Sequence, residues 1–506
     1  MTSRLSALDA SFLFLEDAST PMHAGGVAVF APPAEGFDHE RLVRLIRQRL
    51  PYVPRYRQRV RDVPFGVARP VWVDDERFDV TYHVRRSALP KPGTRQQLEE
   101  LVARLMSRPL DRRRPLWEMY LIEGLDDGSF AIVSKSHQAL VDGLSAVDIA
   151  QVMLDPTPDV ALDAPDSWVP RPEPTDVELL SQALTEMSTR PAAAIDAVRG
   201  TVNDVSRTAG RIGARVAGLA SAVLAMARPP APTPLNVPIG DQRRFVMVDL
   251  SLRELKTVRY ALGGTVNDTI VAVIAGALRS WLQARGVPVS QGDSLRVMLP
   301  VSIAVPPAAS GQAGGSRVSA SLVDLPIGEP DPAVRLQQIS YQLTALQESS
   351  QFVGAEAIIN IAGFSPPTLH ALGARAGATM SHRLYNLVIT NVPGPQRPLY
   401  AAGSRMRAIY PVVPLTHNQA LSIGLTSYDG GVHLGLYGDR DAMADIDVLA
   451  TCLHESVAEL LDRAEQSVRT LRVVGGTARQ PSSPGEAPAA TTAAKRSPAR
   501  RRREAT

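Results

Sequence analysis

Ser134-Lys135-Ser136-His137-Gln138-Ala139-Leu140-Val141-Asp142-Gly143-Leu144-Ser145 is the stretch on which the reading of the fold turns. Just before it, Phe130-Ala131-Ile132-Val133 is an apolar run of strand length, and Ala146 to Leu154 just after it has apolar residues at helical spacing. A buried strand that passes through a His and an Asp-Gly turn into a helix exposes side chains at the end of an element. An imidazole can take up a proton near neutral pH, whereas the amide of Gln138 can only exchange hydrogen bonds. Neighbouring side chains on an extended segment face opposite ways, so His137 and Gln138 are expected on opposite faces. Gly143 allows a close backbone approach or an unusual φ.

Upstream, Leu8-Asp9-Ala10-Ser11-Phe12 and Pro21-Met22-His23-Ala24-Gly25-Gly26 lead into a strand-like Val27 to Phe30. A helix is expected from Asp38 to Leu50, with Leu42, Val43, Ile46 and Leu50 on one stripe. His23 and His39 read as structural rather than catalytic. Phe78 to Val84 alternates like a strand, Arg95 to Met106 reads as a helix, and Pro115-Leu116-Trp117 opens a buried strand reaching Ile122. Trp117 is expected to anchor the core beneath the His137 strand.

Downstream, the Pro- and Asp-rich stretch 155–174 reads as a linker. The segment 204–227, Ala-, Gly- and Val-rich with sparse Arg, is a helix either packed between domains or lying on a lipid surface. A second unit begins near Arg244 with the strand Phe245 to Leu250. It continues through Gly263-Gly264-Thr265-Val266-Asn267-Asp268, where Thr265 or Asn267 can cap a helix and Asp268 suits its positive end. Further strands are expected at 295–301, 318–325 and 384–390, the last ended by Asn391-Val392-Pro393-Gly394-Pro395. A hairpin through Asp429-Gly430-Gly431 and a helix from Val448 to Arg472 close the unit.

The 506 residues exceed one core. The net charge of +3 is carried by the tail: seven basic and two acidic residues lie beyond Gly475, which leaves the remainder at −2. The body therefore has no nucleic-acid footprint, and the tail composition predicts disorder. One cysteine, Cys452, excludes an internal disulfide and suits a reducing cytoplasm. No secretory pattern and no apolar run of spanning length is present. The histidines show no metal-ligand spacing, and there is no phosphate-binding glycine loop and no G-x-S-x-G elbow. No cofactor or metal is expected.

The motifs at 134–145, 115–117, 267–268 and 391–395, together with the opening residues, resemble those of the bacterial wax ester synthase/acyl-CoA:diacylglycerol acyltransferase family, across residues 4 to 472. The central stretch also resembles the HxxxDG of the wider CoA-dependent acyltransferases, which include chloramphenicol acetyltransferase and condensation domains. This resemblance implies an α/β chain of two chloramphenicol-acetyltransferase-like lobes with an active-site tunnel between them. The expected organisation is an N-terminal lobe 1–155, a linker with helices 156–243, a C-terminal lobe 244–473 and a disordered basic tail 474–506.

It further implies acyl-CoA-dependent O-acylation of diacylglycerol or a long-chain alcohol, with no nucleic-acid partner and a peripheral association with a membrane or lipid droplets. Carried onto this sequence, the family's signature falls on His137, Gln138, Asp142 and Gly143. Supporting motif residues are Pro115, Leu116, Trp117, Asn267, Asp268, Asn391, Pro393 and Gly394. Asp142 is implied as a structural residue. The family's usual base, four residues before the Asp, is here Gln138. Three readings stay open: an acyltransferase in which His137 serves as base, a lipid-binding or regulatory paralogue that kept the tunnel without its base, and a condensation-like enzyme using an amine acceptor.

Overall fold

Phe130–His137 (β7) is buried along its whole length, and the architecture is laid out from it. The computed structural model describes residues 3–141, 152–159, 168–186, 233–304, 316–348 and 384–476. The expectations for Asp142 and Gly143, for the helix after them, for the 204–227 helix and for the tail beyond 476 lie outside the described residues.

β7 is an inner strand because both edges are covered. On one side it pairs antiparallel with His23–Phe30 (β2), and on the other with Trp117–Glu123 (β6). Val84–Ala88 (β5) adds in parallel to β6. The far edge of β2 is closed by Ser404–Val412 (β13), which carries Tyr400–Ala401 (β12) beyond it. The sheet thus reads β12-β13-β2-β7-β6-β5. A separate three-stranded sheet joins Ser3–Arg4 (β1), Val71–Asp74 (β4) and Gln58–Arg61 (β3).

The second six-stranded sheet is built from Arg243–Ser251 (β8), Leu295–Ala304 (β9), Ser316–Leu325 (β10), Leu387–Pro393 (β11), Leu421–Tyr428 (β14) and Gly431–Asp439 (β15). Its order is β10-β9-β11-β14-β15-β8. The β14–β15 hairpin turns through Asp429 and Gly430, both at positive φ, as a two-residue primed turn requires. The helix Val266–Ala284 is buried on most of its surface, including Val271, Ile274, Ala275 and Leu278, and packs against the final helix Ile446–Gly476. Among the described residues no single helix is long and apolar enough to cross a membrane. The bent pair Leu252–Leu262 and Val266–Ala284 meets that test by length and composition, but its second helix lies in the core of this lobe.

Two expectations need correction. The C-terminal lobe does not keep 244–473 to itself: β12 and β13 complete the first lobe's sheet. β2 is buried at most positions, and without β13 its outer N–H and C=O groups would be left unpaired. The exchange brings the two sheets into close contact, since a Cβ on Gly435 of β15 would stand 1.9 Å from the Pro411 carbonyl of β13. The linker 156–243, expected to carry helices, has one at residues 176–186, which sets Leu179 and Ala183 against Val71 and Val73 of the small sheet and Val63 beside it. Finally, Phe78–Val84 is not a strand. The Asp79 carboxylate accepts the Thr81 amide at 2.9 Å and starts a helical turn, Val80–His83, so extended structure begins only at Val84.

Candidate active site

β7 ends at His137, and the chain turns at once into the short helix Gln138–Val141. Backbone bonds hold this turn from two sides: His137 N–H donates to the Leu116 carbonyl and Gln138 N–H to the Met22 carbonyl, both at 2.9 Å. His137 is 1% exposed, while the Gln138 side chain is only half buried. The two neighbours thus differ in burial, and Gln138 already belongs to the helical turn, where strand alternation no longer applies. Imidazole Nδ1 of His137 accepts the Ala139 amide at 3.0 Å. An acceptor nitrogen carries no proton, so the neutral ring has its hydrogen on Nε2.

Nε2 of His137 faces Glu16, 3.6 Å from Oε2. Strand pairing brings a second imidazole to the same carboxylate. His23 is the register partner of His137 across β2 and β7, with ring centroids 6.0 Å apart, and its Nε2 lies 3.2 Å from Glu16 Oε1. Arg112 completes the group through Nη2 and Nε, at 2.6 and 3.1 Å from Oε2. Burial works to raise the Glu16 carboxyl, but the two imidazoles and the guanidinium outweigh it and hold it far below the usual carboxylate range. Burial pulls His23 down to about 4, against the opposing pull of Glu16, so His23 is neutral at physiological pH. Lys135, buried on the same strand, is lowered to about 8 mainly by desolvation; its Nζ donates to the Leu105 carbonyl at 2.9 Å and to that of Arg108.

Pro115, Leu116 and Trp117 lie alongside this strand end. Leu116 supplies the carbonyl that holds His137, and Trp117 pairs with Ser136 in the ladder. The indole Nε1–H donates to the Tyr56 carbonyl at 2.8 Å, and the ring stacks on His83 at 4.6 Å. His83 in turn donates from Nδ1 to the Trp117 carbonyl at 2.7 Å. Trp117 is thus a buried anchor beneath the His137 strand. His39, at a helix start, bonds through Nε2 to the Val84 carbonyl at 2.9 Å.

The remaining motif residues gather in the second lobe. Thr265 caps the helix Val266–Ala284 in a reciprocal box with Asp268, whose Oδ2 accepts the Thr265 amide at 2.9 Å and the Ser340 hydroxyl at 2.9 Å. Asp268 is buried, and its Oδ2 is engaged by both donors. Asn267 accepts a hydrogen bond from Asn391 at the end of β11. Pro393 is exposed, and Gly394 is pressed so closely to β14 that a Cβ there would lie 2.4 Å from the Ser427 carbonyl. No hydrogen bond or ion pair among the described residues joins this group to 115–117 and 137–138. A cleft of about 700 Å³ opens between the helix Arg95–Ser107 and β8, but none of residues 134–141 lines it.

Sequence reading alone missed Glu16 as a neighbour of His137, and Arg112 as the partner of Glu16. His23 was visible in the Pro21–Gly26 segment, but its proximity to His137 depends on the register of β2 against β7. Asp111-Arg112 and Glu16 carry no spacing that links them.

Two mixed six-stranded sheets that exchange a strand, with a His-bearing strand end in the first, define a CoA-dependent acyltransferase fold. Solved structures agree: the wax ester synthase/diacylglycerol acyltransferase of Marinobacter aquaeolei VT8 superposes with a TM-score of 0.65 at 29% identity, over 92% of this chain and all of that one. The first condensation domain of the CDA synthetase shares the fold at a TM-score of 0.54 and 16% identity, over 92% of this chain and 96% of that one.

The chain belongs to the wax ester synthase/diacylglycerol acyltransferase family. Residues 5–270 match the family model of the catalytic domain, and residues 314–461 match that of the WS/DGAT C-terminal domain. Among its relatives in Mycobacterium tuberculosis, the probable diacylglycerol O-acyltransferase tgs2 is 35% identical over 89% of this chain and 97% of that protein. The probable diacylglycerol O-acyltransferase tgs3 is 46% identical over 51% of this chain and 96% of that protein.

Proposed function

We propose that the chain is an acyl-CoA-dependent O-acyltransferase that moves a long-chain acyl group to diacylglycerol, to a long-chain alcohol, or to both. The observation that carries this reading is family membership across both lobes, together with relatives of nearly full length named as diacylglycerol O-acyltransferases. In the reaction, the acceptor hydroxyl oxygen bonds to the thioester carbonyl carbon, the C–S bond of the tetrahedral intermediate breaks to leave the ester, and the hydroxyl proton ends on the departing sulfur as CoA thiol. In this reading Gln138 orients the hydroxyl through its amide oxygen but does not take the proton. Substrates this apolar favour work at a membrane or lipid-droplet surface.

A second reading, a lipid-binding paralogue that kept the fold without strong catalysis, is favoured by one specific observation. The Nδ1 lone pair of His137 is already committed to the Ala139 amide, and its Nε2 faces Glu16 inside the protein. His137 is thus badly placed to replace the missing base. General-base assistance is worth roughly 10²–10⁴ in rate.

The test is release of CoA from a long-chain acyl-CoA, with and without diacylglycerol or hexadecanol, for the unmodified chain, His137→Ala and Gln138→His. Acceptor-dependent release by the unmodified chain establishes the acyltransferase. Release by Gln138→His alone assigns the chain to the binding class. No release with any alcohol from folded protein of either form rejects the first reading.

A further inference from the structure

We propose that Glu16 is a positioning residue of this site: its carboxylate fixes the tautomer of His137, and His137 in that tautomer holds the turn that presents Gln138. The proposal rests on reading 134–143 as the acyl-transfer segment. It concerns a residue outside every motif that led to that reading.

The geometry runs in one direction. Glu16 follows directly on the helix Ala7–Leu15, whose last turn anchors it: the Glu16 amide donates to the Phe12 carbonyl at 3.1 Å. From there its two oxygens reach different partners, Oε1 toward His23 and Oε2 toward His137 and Arg112. His137 lies 3.6 Å away with Nε2 toward the carboxylate, an orienting separation rather than a short hydrogen bond. A negative oxygen on that side favours a hydrogen on Nε2 and so leaves Nδ1 bare. Bare Nδ1 is what the Ala139 amide requires, because it donates there at 3.0 Å.

With the hydrogen on Nδ1 instead, two N–H groups would oppose each other inside the protein, where an unpaired donor is costly. The Ala139 amide belongs to the first turn after β7, so losing this bond would loosen the backbone that carries Gln138.

Arg112 and His23 keep the device from overshooting. An isolated carboxylate would also stabilise the doubly protonated imidazolium, which has no acceptor at Nδ1. The guanidinium of Arg112, bound to Oε2 through two nitrogens, offsets much of that charge. His23 at Oε1 stays neutral and adds no competing cation, while the Lys135 ammonium on the same strand is turned to the carbonyls of Leu105 and Arg108. Glu16 is the charged group facing Nε2 of both rings, at 3.2 Å from His23 and 3.6 Å from His137, while the Ala139 amide holds His137 from its other nitrogen.

The test uses the full chain labelled with ¹⁵N-histidine, with the His137 signals assigned by their loss in His137→Asn. At neutral pH and without substrate, the unmodified protein is expected to show His137 protonated at Nε2 and bare at Nδ1. In Glu16→Ala, the ring is expected to populate both tautomers, and acceptor-dependent CoA release to fall on the order of tenfold in kcat with little change in KM, the size of effect seen when an orienting partner is removed. Glu16→Gln keeps an acceptor oxygen and is expected to restore both the Nε2 tautomer and most of the turnover.

A proton on Nδ1 in the unmodified protein overturns the proposal, whatever the variants do. So does a folded Glu16→Ala with an unchanged His137 spectrum. The tautomer is read without turnover, so the role of Glu16 is tested even in a chain that proves inactive, and failure of the acyltransferase reading stays distinct from failure of this one.

Discussion

Asn391 Nδ2 donates to Asn267 Oδ1 at 2.7 Å and so ties the end of β11 to the first turn of the helix Val266–Ala284, across 124 residues of sequence. Two motifs that read separately in the sequence are one structural joint. Asn391→Ala and Asn267→Ala are each expected to lower unfolding stability by about 1 kcal/mol, the usual net worth of such a bond. In a urea double-mutant cycle the losses should not add, because both variants remove the same interaction. Fully additive losses would show that the bond contributes nothing.

Trp117 supports β7 from below, with its ring stacked on His83 and its N–H on the Tyr56 carbonyl. It is 1% exposed, so Trp117→Ala leaves a large cavity and is expected to cost about 3–5 kcal/mol. Trp117→Phe keeps most of the volume and should cost clearly less. Equal urea midpoints for the two variants would argue against cavity formation as the cause.

His83 gives the fold an acid-sensitive element. Burial is the main reason its folded value lies at about 4 instead of the ordinary 6.5, with its bond to the Trp117 carbonyl opposing. Between those values the unfolded chain binds the proton and the folded chain does not. Stability therefore falls as pH drops from 6.5 toward 4. A gap of this size is worth about 3 kcal/mol. His23 acts in the same direction over the same window, and Glu16 adds to the loss below about 4.5, where its unfolded carboxyl takes up a proton that the folded one refuses. His83→Asn is expected to flatten the slope of urea midpoint against pH between 6.5 and 4. An unchanged slope would rule His83 out as a source.

Gly25 lies opposite Lys135 in the β2–β7 ladder, and a Cβ there would sit 2.0 Å from the Ser134 carbonyl. Gly25→Ala must push the two strands apart two residues from the His23–His137 pair. The expected cost is about 1–3 kcal/mol or more, as for other overpacked sites, accompanied by reduced CoA release. Gly240→Ala is the comparison, since φ there is not left-handed and a Cβ would meet only Asp439 Oδ2, at an ordinary 3.7 Å. A Gly25→Ala protein no less stable than Gly240→Ala would contradict the close approach.

Much of the first lobe was legible because its strands are apolar runs bounded by turn residues. Phe130 to Val133 and Trp117 to Ile122 both proved to be buried ladder strands. The helix starting at Val266 was legible for another local reason: Thr265 and Asp268 form a box three residues apart. Phe78–Val84 misled because alternation is a weak signal over a few residues, and the Asp79 side chain competed successfully for the backbone. The strand Ser404–Val412 carries an alternating pattern too, but nothing within it indicates which sheet it joins.

By itself the sequence determined the family, the order of the strands and helices around its motifs, and the amide at position 138 where the family's base stands. Those are properties of residue type and local spacing, which survive in a one-dimensional reading. Tertiary structure alone decided that β13 closes the first lobe's sheet, that Asn267 meets Asn391, and that Glu16, held by Arg112, lies between His23 and His137. These relationships depend on strand register and on which edge each strand finds. Register is set by the burial of whole faces across distant segments, and no window of sequence contains it.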